Sequence, residues 1–170
     1  QLYGNTQNYR DAIEMIEQMT ERNKAINQVY QKICLNRAIE CFNENKLNEA
    51  IIYLDKSLSQ SHSEDYVATA YYLKGEIYYQ TNDYNLSISN LNKFFNTAGA
   101  QKNIYYNQAN YTMGYNLFQQ KKYSTAKDYF KKCENTANET LNIDAKCRYA
   151  DCLYMCKDFQ NAIKGYDYVI

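Results

Sequence analysis

The residues best able to do chemistry are one histidine, six cysteines and a scatter of carboxylates. His62 is the only histidine, and it lies in the polar run Ser59–Glu64, where adjacent serines could pair with it as a nucleophile and its base. The run has no glycine or apolar residue that would hold such a pair in place. Its composition therefore predicts a solvated linker at this point of the chain.

The cysteines have spacings that suit packing better than metal binding. Cys147, Cys152 and Cys156 follow one another at intervals of five and four residues, which do not wrap one ion as the ligands of a zinc site do. No H-E-x-x-H, glycine-rich phosphate loop or C-x-x-C pair occurs. We therefore expect buried thiols that act as small hydrophobic residues, with no metal and no cofactor. The full set is Cys34, Cys41, Cys133, Cys147, Cys152 and Cys156.

The carboxylates indicate helix capping and not acid–base catalysis, so we expect no enzyme. They stand at turns and at predicted helix starts, where they stabilise free N–H groups and the helix dipole. The residues concerned are Glu64, Asp65, Asp83, Asp144 and Asp158.

The charge balance argues against nucleic acid and membrane partners. Lysine plus arginine number 19, as do aspartate plus glutamate, so no net field attracts polyanions. The pairs Lys121-Lys122 and Lys131-Lys132 are too short for a basic stripe. No stretch approaches the roughly 20 apolar residues of a membrane span.

The elements that position these residues are predicted to be helices. The 170 residues include no proline and five glycines, which leaves few tight turns for a β-sandwich or barrel. A triplet recurs in which a small residue follows an aromatic or leucine by three and precedes a large apolar residue by four, so all three share one helical face. The copies are Tyr9/Ala12/Ile16, Leu47/Ala50/Leu54, Tyr84/Ser87/Leu91, Tyr123/Ala126/Phe130 and Phe159/Ala162/Tyr166.

A second small residue stands twelve positions before the small residue of the last four triplets, namely Ala38, Gly75, Gly114 and Ala150. This constant spacing predicts a helix hairpin in which two helices approach closely where neither carries a bulky side chain. The turn between them is polar, and its Asn and Asp residues tolerate irregular dihedral angles. We place a half-repeat at 3–22 and hairpins at 31–60, 68–96, 107–134 and 143–170.

These units resemble the tetratricopeptide repeat family. The clearest copies are YYLKGEIYYQTNDYNLSISNL, around Gly75, and YTMGYNLFQQKKYSTAKDYF, around Gly114. The resemblance implies an all-α, right-handed superhelix of antiparallel hairpins. It also implies a non-catalytic scaffold that binds a protein or peptide in a concave groove.

The order of the motifs also resembles multi-repeat members of this family from Bacteroidota-type bacteria, which are often exported. The runs that carry this likeness are QKICLNRAIECFNENKLNEAIIYLDKSL and DAKCRYADCLYMCKDFQNAIKGYDYVI. It implies a scaffold or assembly role and a periplasmic or exported location, with the cytoplasm left open.

In such a superhelix the first helix of each hairpin lines the groove. Tyrosine suits a binding surface because it offers a large rigid contact with a polar tip. The carboxylate clamp of chaperone-binding members is not expected, because Leu35 and Ile39 stand where it needs Lys and Asn, and Arg148 is isolated in the fourth unit. The groove candidates are Lys32, Leu35, Asn36, Ile39, Phe42, Tyr72, Glu76, Tyr79, Tyr111, Tyr115, Phe118, Arg148, Asp151 and Tyr154.

The two ends of the pattern predict a fragment of a longer array. The first triplet lacks a first helix of its own, and the last helix has no polar capping helix after it. An apolar face left open at Asp158–Ile170 would promote self-association. The alternative function is therefore a structural spacer or oligomerisation module within a larger multi-repeat protein.

Overall fold

A computed structural model describes residues 6–133 and 138–167, and every regular element in these ranges is helical, which confirms the all-α prediction. Within these ranges there are nine α-helices, and the connection between the fifth and the sixth contains a 3-10 helix at Ala100–Lys102. In chain order they are α1 (Thr6–Glu17), α2 (Lys24–Asn43), α3 (Leu47–Leu58), α4 (Glu64–Gln80), α5 (Tyr84–Asn96), α6 (Tyr106–Gln119), α7 (Tyr123–Lys131), α8 (Glu139–Met155) and α9 (Phe159–Asp167).

The helices pack as successive hairpins, and α1 packs against α2. Each later pair, from α2 with α3 to α8 with α9, is joined by a short turn and shares an extensive contact. The first helices also meet one another, since α4 packs against both α2 and α6. α2 begins well before the predicted unit start at 31, because the Asn23 side chain caps it by accepting from the Ile26 N–H at 2.9 Å.

The close approach predicted from the small residues is confirmed. The Ser87 hydroxyl donates to the Gly75 carbonyl across the second hairpin at 2.7 Å. A Cβ atom placed on Gly75 would lie 2.8 Å from the Leu91 side chain, and one on Gly114 would lie 2.8 Å from the Phe130 ring. At Gly75 and Gly114 the spacing therefore identified positions where an added methyl group would be too close to the opposite helix.

The four hairpin turns share one backbone conformation. In each turn the N–H after a residue of positive φ donates to a carbonyl five residues earlier, as the Lys122 N–H does to Leu117 at 2.9 Å. This is the Schellman arrangement that closes helix C-termini. Asn supplies the left-handed residue in two turns, as predicted, but lysine does so in the other two. The four residues are Asn45, Asn82, Lys121 and Lys157, with φ of 58°, 61°, 59° and 66°.

Lys121→Gly is expected to raise the free energy of unfolding by up to about 1 kcal/mol. A left-handed conformation strains an L-residue, and glycine adopts it freely. Lys127→Gly, in the middle of α7, is the control and should instead cost about 1 kcal/mol. Urea unfolding of both variants measures the difference. A loss of stability in Lys121→Gly would contradict the left-handed conformation assigned to Lys121.

The linker around His62 is held more firmly than its composition suggests. Gln31 is fully buried on α2, and its side-chain oxygen accepts from the backbone N–H groups of His62 and Ser63 at 3.2 and 3.0 Å. The His62 residue itself is exposed. A buried amide on a neighbouring helix thus replaces the glycine and apolar residues that the linker lacks.

The thiols form no disulfide in the structure. Cys34, Cys41, Cys133 and Cys152 are buried as predicted, whereas Cys156 is exposed. Among residues 6–133 and 138–167, no set of three or more His, Cys, Asp or Glu side chains is placed to hold a metal ion. No helix in the same ranges is long and apolar enough to cross a membrane.

Candidate functional site

The predicted groove residues differ widely in their exposure along the first helices. Leu35 and Tyr72 are buried, whereas Lys32 and Tyr154 are exposed. The remainder are partly exposed, namely Asn36, Ile39, Phe42, Glu76, Tyr79, Tyr111, Tyr115, Phe118, Arg148 and Asp151.

Tyr72 belongs to the hydrophobic core and not to an open surface. It is 8% exposed, and its ring stacks on that of Tyr105 with centroids 4.5 Å apart and lies 6.2 Å from that of Phe94. Tyr105 comes from the connection before α6, whose path the repeat spacing does not predict. Leu35, at 4% exposed, is also part of the core. We therefore remove these two residues from the candidate surface.

The middle of the surface joins α4 to α6 through a carboxylate. The Thr112 hydroxyl donates to Glu76 Oε2 at 2.8 Å. The Tyr79 and Tyr115 rings, which come from the same two helices, lie 6.3 Å apart and are tilted by 55°. Burial raises the pKa of Glu76, and hydrogen bonds from Thr112 and Gln80 only partly oppose that effect. A half-buried carboxyl group and a pair of aromatic rings thus link α4 to α6.

A second carboxylate joins α6 to α8. The hydroxyls of Tyr111 and Tyr115 both donate to Asp144 Oδ2, at 2.6 and 2.7 Å. Partial burial opposes ionisation, but these two hydrogen bonds and the neighbouring Arg148 guanidinium hold the pKa of Asp144 below its usual value. The prediction that Asp144 caps a helix start is wrong, because α8 begins at Glu139 and Asp144 lies beyond its first turn.

Arg148 extends this cluster towards α9. Its guanidinium donates to Asp144 Oδ1 at 3.5 Å and to Asp151 Oδ2 at 2.6 Å, and Asp151 Oδ1 accepts from the Tyr166 hydroxyl at 2.6 Å. Partial burial and this hydrogen bond raise the pKa of Tyr166 to about 12. As a clamp residue Arg148 was expected to stand alone, and the structure pairs it with two carboxylates of its own helix. Their spacing of four and three residues from Arg148 is the sequence signal for these two ion pairs, whereas triplet spacing gives none for the Tyr166 contact.

Aromatic side chains also pair across the hairpin turns. The rings of Tyr79 and Tyr84 are 6.1 Å apart, and Phe118 and Tyr123 make the same pairing at 5.0 Å. The Tyr154 ring makes the same kind of pair with Phe159 at the start of α9, with centroids 5.3 Å apart. In the first unit Ile39 and Phe42 pack at the edge of the core instead. The aromatic surface therefore runs along α4, α6 and α8.

Two pockets near the N-terminal end were not predicted. A groove of about 610 Å³ lies between α1 and α2, and it includes the candidates Lys32 and Asn36 beside apolar side chains such as Met15 and Val29. The Asn36 side chain donates to the Tyr9 hydroxyl at one edge, at 3.3 Å. A smaller pocket of about 410 Å³ lies between α2 and the His62 linker.

The side chains along α4, α6 and α8 provide hydrogen-bonding groups and flat aromatic faces for binding. The hydroxyls of Tyr111 and Tyr115 donate to Asp144, so each acts there as a hydrogen-bond donor to a carboxylate. Burial and the Asp144 contact both raise the pKa of Tyr111. The arrangement suits recognition of another molecule.

Comparison with models of protein families gives a match for part of the chain. The tetratricopeptide repeat model matches residues 68–98 and 108–139. No curated protein matches the chain.

Solved structures share the fold. YrrB, described as a tetratricopeptide repeat protein with an unusual peptide-binding site, aligns with a TM-score of 0.73 and 21% identity over 97% of this chain and 74% of its own. MamA AMB-1 aligns with a TM-score of 0.65 and 16% identity over 96% of this chain and 81% of its own. MamA MSR-1 aligns with a TM-score of 0.60 and 18% identity over 96% of this chain and 86% of its own. Residues 68–98 and 108–139 therefore match the tetratricopeptide repeat model, and the chain shares its fold with solved structures that include a tetratricopeptide repeat protein.

Proposed function

We propose that this protein is a non-catalytic interaction scaffold that binds a peptide or protein segment along the groove face of α2, α4, α6 and α8. The observation that carries the proposal is the row of partly exposed aromatic side chains on successive first helices, typified by Tyr79, Tyr115 and Phe118. Tetratricopeptide repeats generally serve as scaffolds, and the similar structure YrrB is described as having a peptide-binding site.

Alanine at Tyr79 or Phe118 is expected to weaken peptide binding by about tenfold or more, because buried aromatic contacts dominate such interfaces. Both side chains are partly exposed, so the melting temperature should fall less than it does when a core ring is removed. A phage-displayed dodecapeptide library selected on the immobilised chain supplies the peptides, and calorimetry measures their affinity.

Tyr72→Ala is the matched control for this experiment. Because the Tyr72 ring is in the core, its loss should lower the melting temperature markedly. Selection of no peptide, or of peptides that bind Tyr79→Ala and Phe118→Ala as well as they bind the parent, would contradict the proposed function.

A second candidate function is a spacer or oligomerisation module that associates through its C-terminal hairpin. Apolar side chains are exposed there, with Phe159 at 51% and Ile163 at 60% on α9, beside Tyr154 and Met155 at the end of α8. Exposed apolar clusters of this kind favour association. Val169 and Ile170, which belong to the predicted surface, lie outside the described residues.

The double change Phe159→Glu and Ile163→Glu is expected to reduce concentration-dependent self-association of the chain, because charges replace the apolar contact. Light scattering during size-exclusion chromatography over a concentration series measures it. Met15→Glu, at an exposed apolar residue on α1, is the control and should leave the mass unchanged. A parent chain that is monomeric at every concentration would rule out association through this hairpin.

A further inference from the structure

We propose that Glu76 receives a lysine or arginine side chain of the bound segment, so that the groove selects peptides with a basic residue at one position. This inference rests on the proposed function and adds the chemistry of the partner to it. The partner is a peptide or extended protein segment, and its cation enters beside Tyr79.

Glu76 is a carboxylate on the groove face that lacks a counter-ion. Its neighbours among the described residues are uncharged donors, the Thr112 hydroxyl at 2.8 Å and the Gln80 side chain. The nearest lysine along α4, Lys74, is already paired with Asp55 of α3. No lysine or arginine in the described part of the chain forms an ion pair with Glu76.

The other carboxylates of this surface are arranged differently. Asp144 and Asp151 lie on either side of Arg148, which bonds to both. When ionised, these two residues and Glu76 carry three negative charges against the single positive charge of Arg148. The surface along α4, α6 and α8 is therefore complementary to a cationic partner.

The Tyr79 ring suits a cation near Glu76 as well. A lysine or arginine head group gains from contact with a tyrosine face, and the gain increases where water is excluded. Tyr79 lies three residues after Glu76 on α4 and remains partly exposed, whereas the Arg148 guanidinium already lies over the Tyr115 ring, 5.9 Å from its centroid. The proposed basic side chain would thus have the Glu76 carboxylate and the Tyr79 ring as partners.

The raised pKa of Glu76 agrees with this reading. Burial without a nearby cation disfavours the ionised carboxylate, and an incoming cation would restore it. Ionisation of Glu76 is therefore less favourable in the free protein than it would be beside a basic side chain of the peptide. Glu76→Gln keeps an acceptor for Thr112 and removes that charge, so it should melt no lower than the parent.

The test selects the same dodecapeptide phage library on three versions of the 170-residue chain: the parent, Glu76→Gln and Asp128→Asn. Asp128 is an exposed carboxylate on α7, so its change removes one negative charge away from the groove. The parent and Asp128→Asn pools should be enriched in Lys or Arg at one fixed position. The Glu76→Gln pool should lose that enrichment while still rising above the unselected library.

A synthetic peptide from the parent pool then measures the pairing directly. Replacing its basic residue with norleucine should cost about tenfold or more in affinity for the parent, and little for Glu76→Gln. Equal losses on both proteins, or a Glu76→Gln pool with the same basic position, would overturn the inference. A parent pool that depends on Tyr79 and Phe118 but carries no basic position would overturn it and leave the proposed function standing. Peptides that bind independently of Tyr79 and Phe118 would overturn both.

Discussion

Gly114→Leu is expected to lower the free energy of unfolding by about 3 kcal/mol or more, at the upper end of overpacking costs. Even the first added carbon would lie 2.8 Å from Phe130 Cε1, and the ring is fully buried, so it cannot move into solvent. Gly75→Leu should behave alike against Leu91. Thermal and urea unfolding measure both effects.

The control for these variants is Gln119→Leu, an exposed position on the same helix as Gly114, which should change stability by less than about 0.5 kcal/mol. Because each repeat contacts mainly its neighbours, the loss at Gly114 should begin in the third hairpin and broaden the transition. Hydrogen exchange resolves the hairpins separately. Glycine variants as stable as the parent would remove the close-packing assignment for both hairpins.

Asp144→Ala is expected to cost about 2 kcal/mol or more, because it leaves the hydroxyls of Tyr111 and Tyr115 and one side of Arg148 without their charged acceptor. The bonds to Asp144 join the third hairpin to the fourth. Amides of α8 and α9 should therefore exchange faster than those of α4 and α5. Asp128 is exposed on α7, so Asp128→Asn should change neither the free energy of unfolding nor the amide exchange rates.

The Asp144 contribution should also depend on pH. Since the folded state holds the pKa of this carboxyl below its ordinary value, its stabilisation is complete above the unfolded-state pKa and is lost as pH falls through the folded one. The stability difference between the parent and Asp144→Asn should shrink as the pH is lowered from about 6 to about 3. A difference that is constant over this range would contradict the assigned hydrogen bonds.

Local information in the sequence was enough to identify the hairpins. A small residue twelve positions before another can serve close helix packing only if the two lie opposite each other, and Gly75 with Ser87 does so. The polar turns were also predictable in position. Their left-handed residue was not fully predictable, since Lys121 and Lys157 take a conformation that asparagine or glycine adopts more readily.

The tertiary structure decided which groove candidates are core and which are surface. Tyr72 and Tyr79 are seven residues apart on α4 and look equivalent by periodicity, yet Tyr105 covers the first and leaves the second partly exposed. Tyr105 arrives from a connection that lies outside the repeat. Burial depends on that path, so spacing within one helix could not determine it.

The charge arrangement of the groove was settled partly by local spacing and partly by contacts between units. The sequence by itself determined the helix hairpins and the face on which Glu76, Arg148 and Asp151 lie, because helical periodicity is local. The same periodicity places Arg148 beside Asp144 and Asp151, which stand four residues before it and three after it on α8. Only the tertiary structure brought Asp144 of α8 to the Tyr111 and Tyr115 hydroxyls of α6 and Glu76 of α4 to the Thr112 hydroxyl, because these distances are set by the relative placement of whole hairpins.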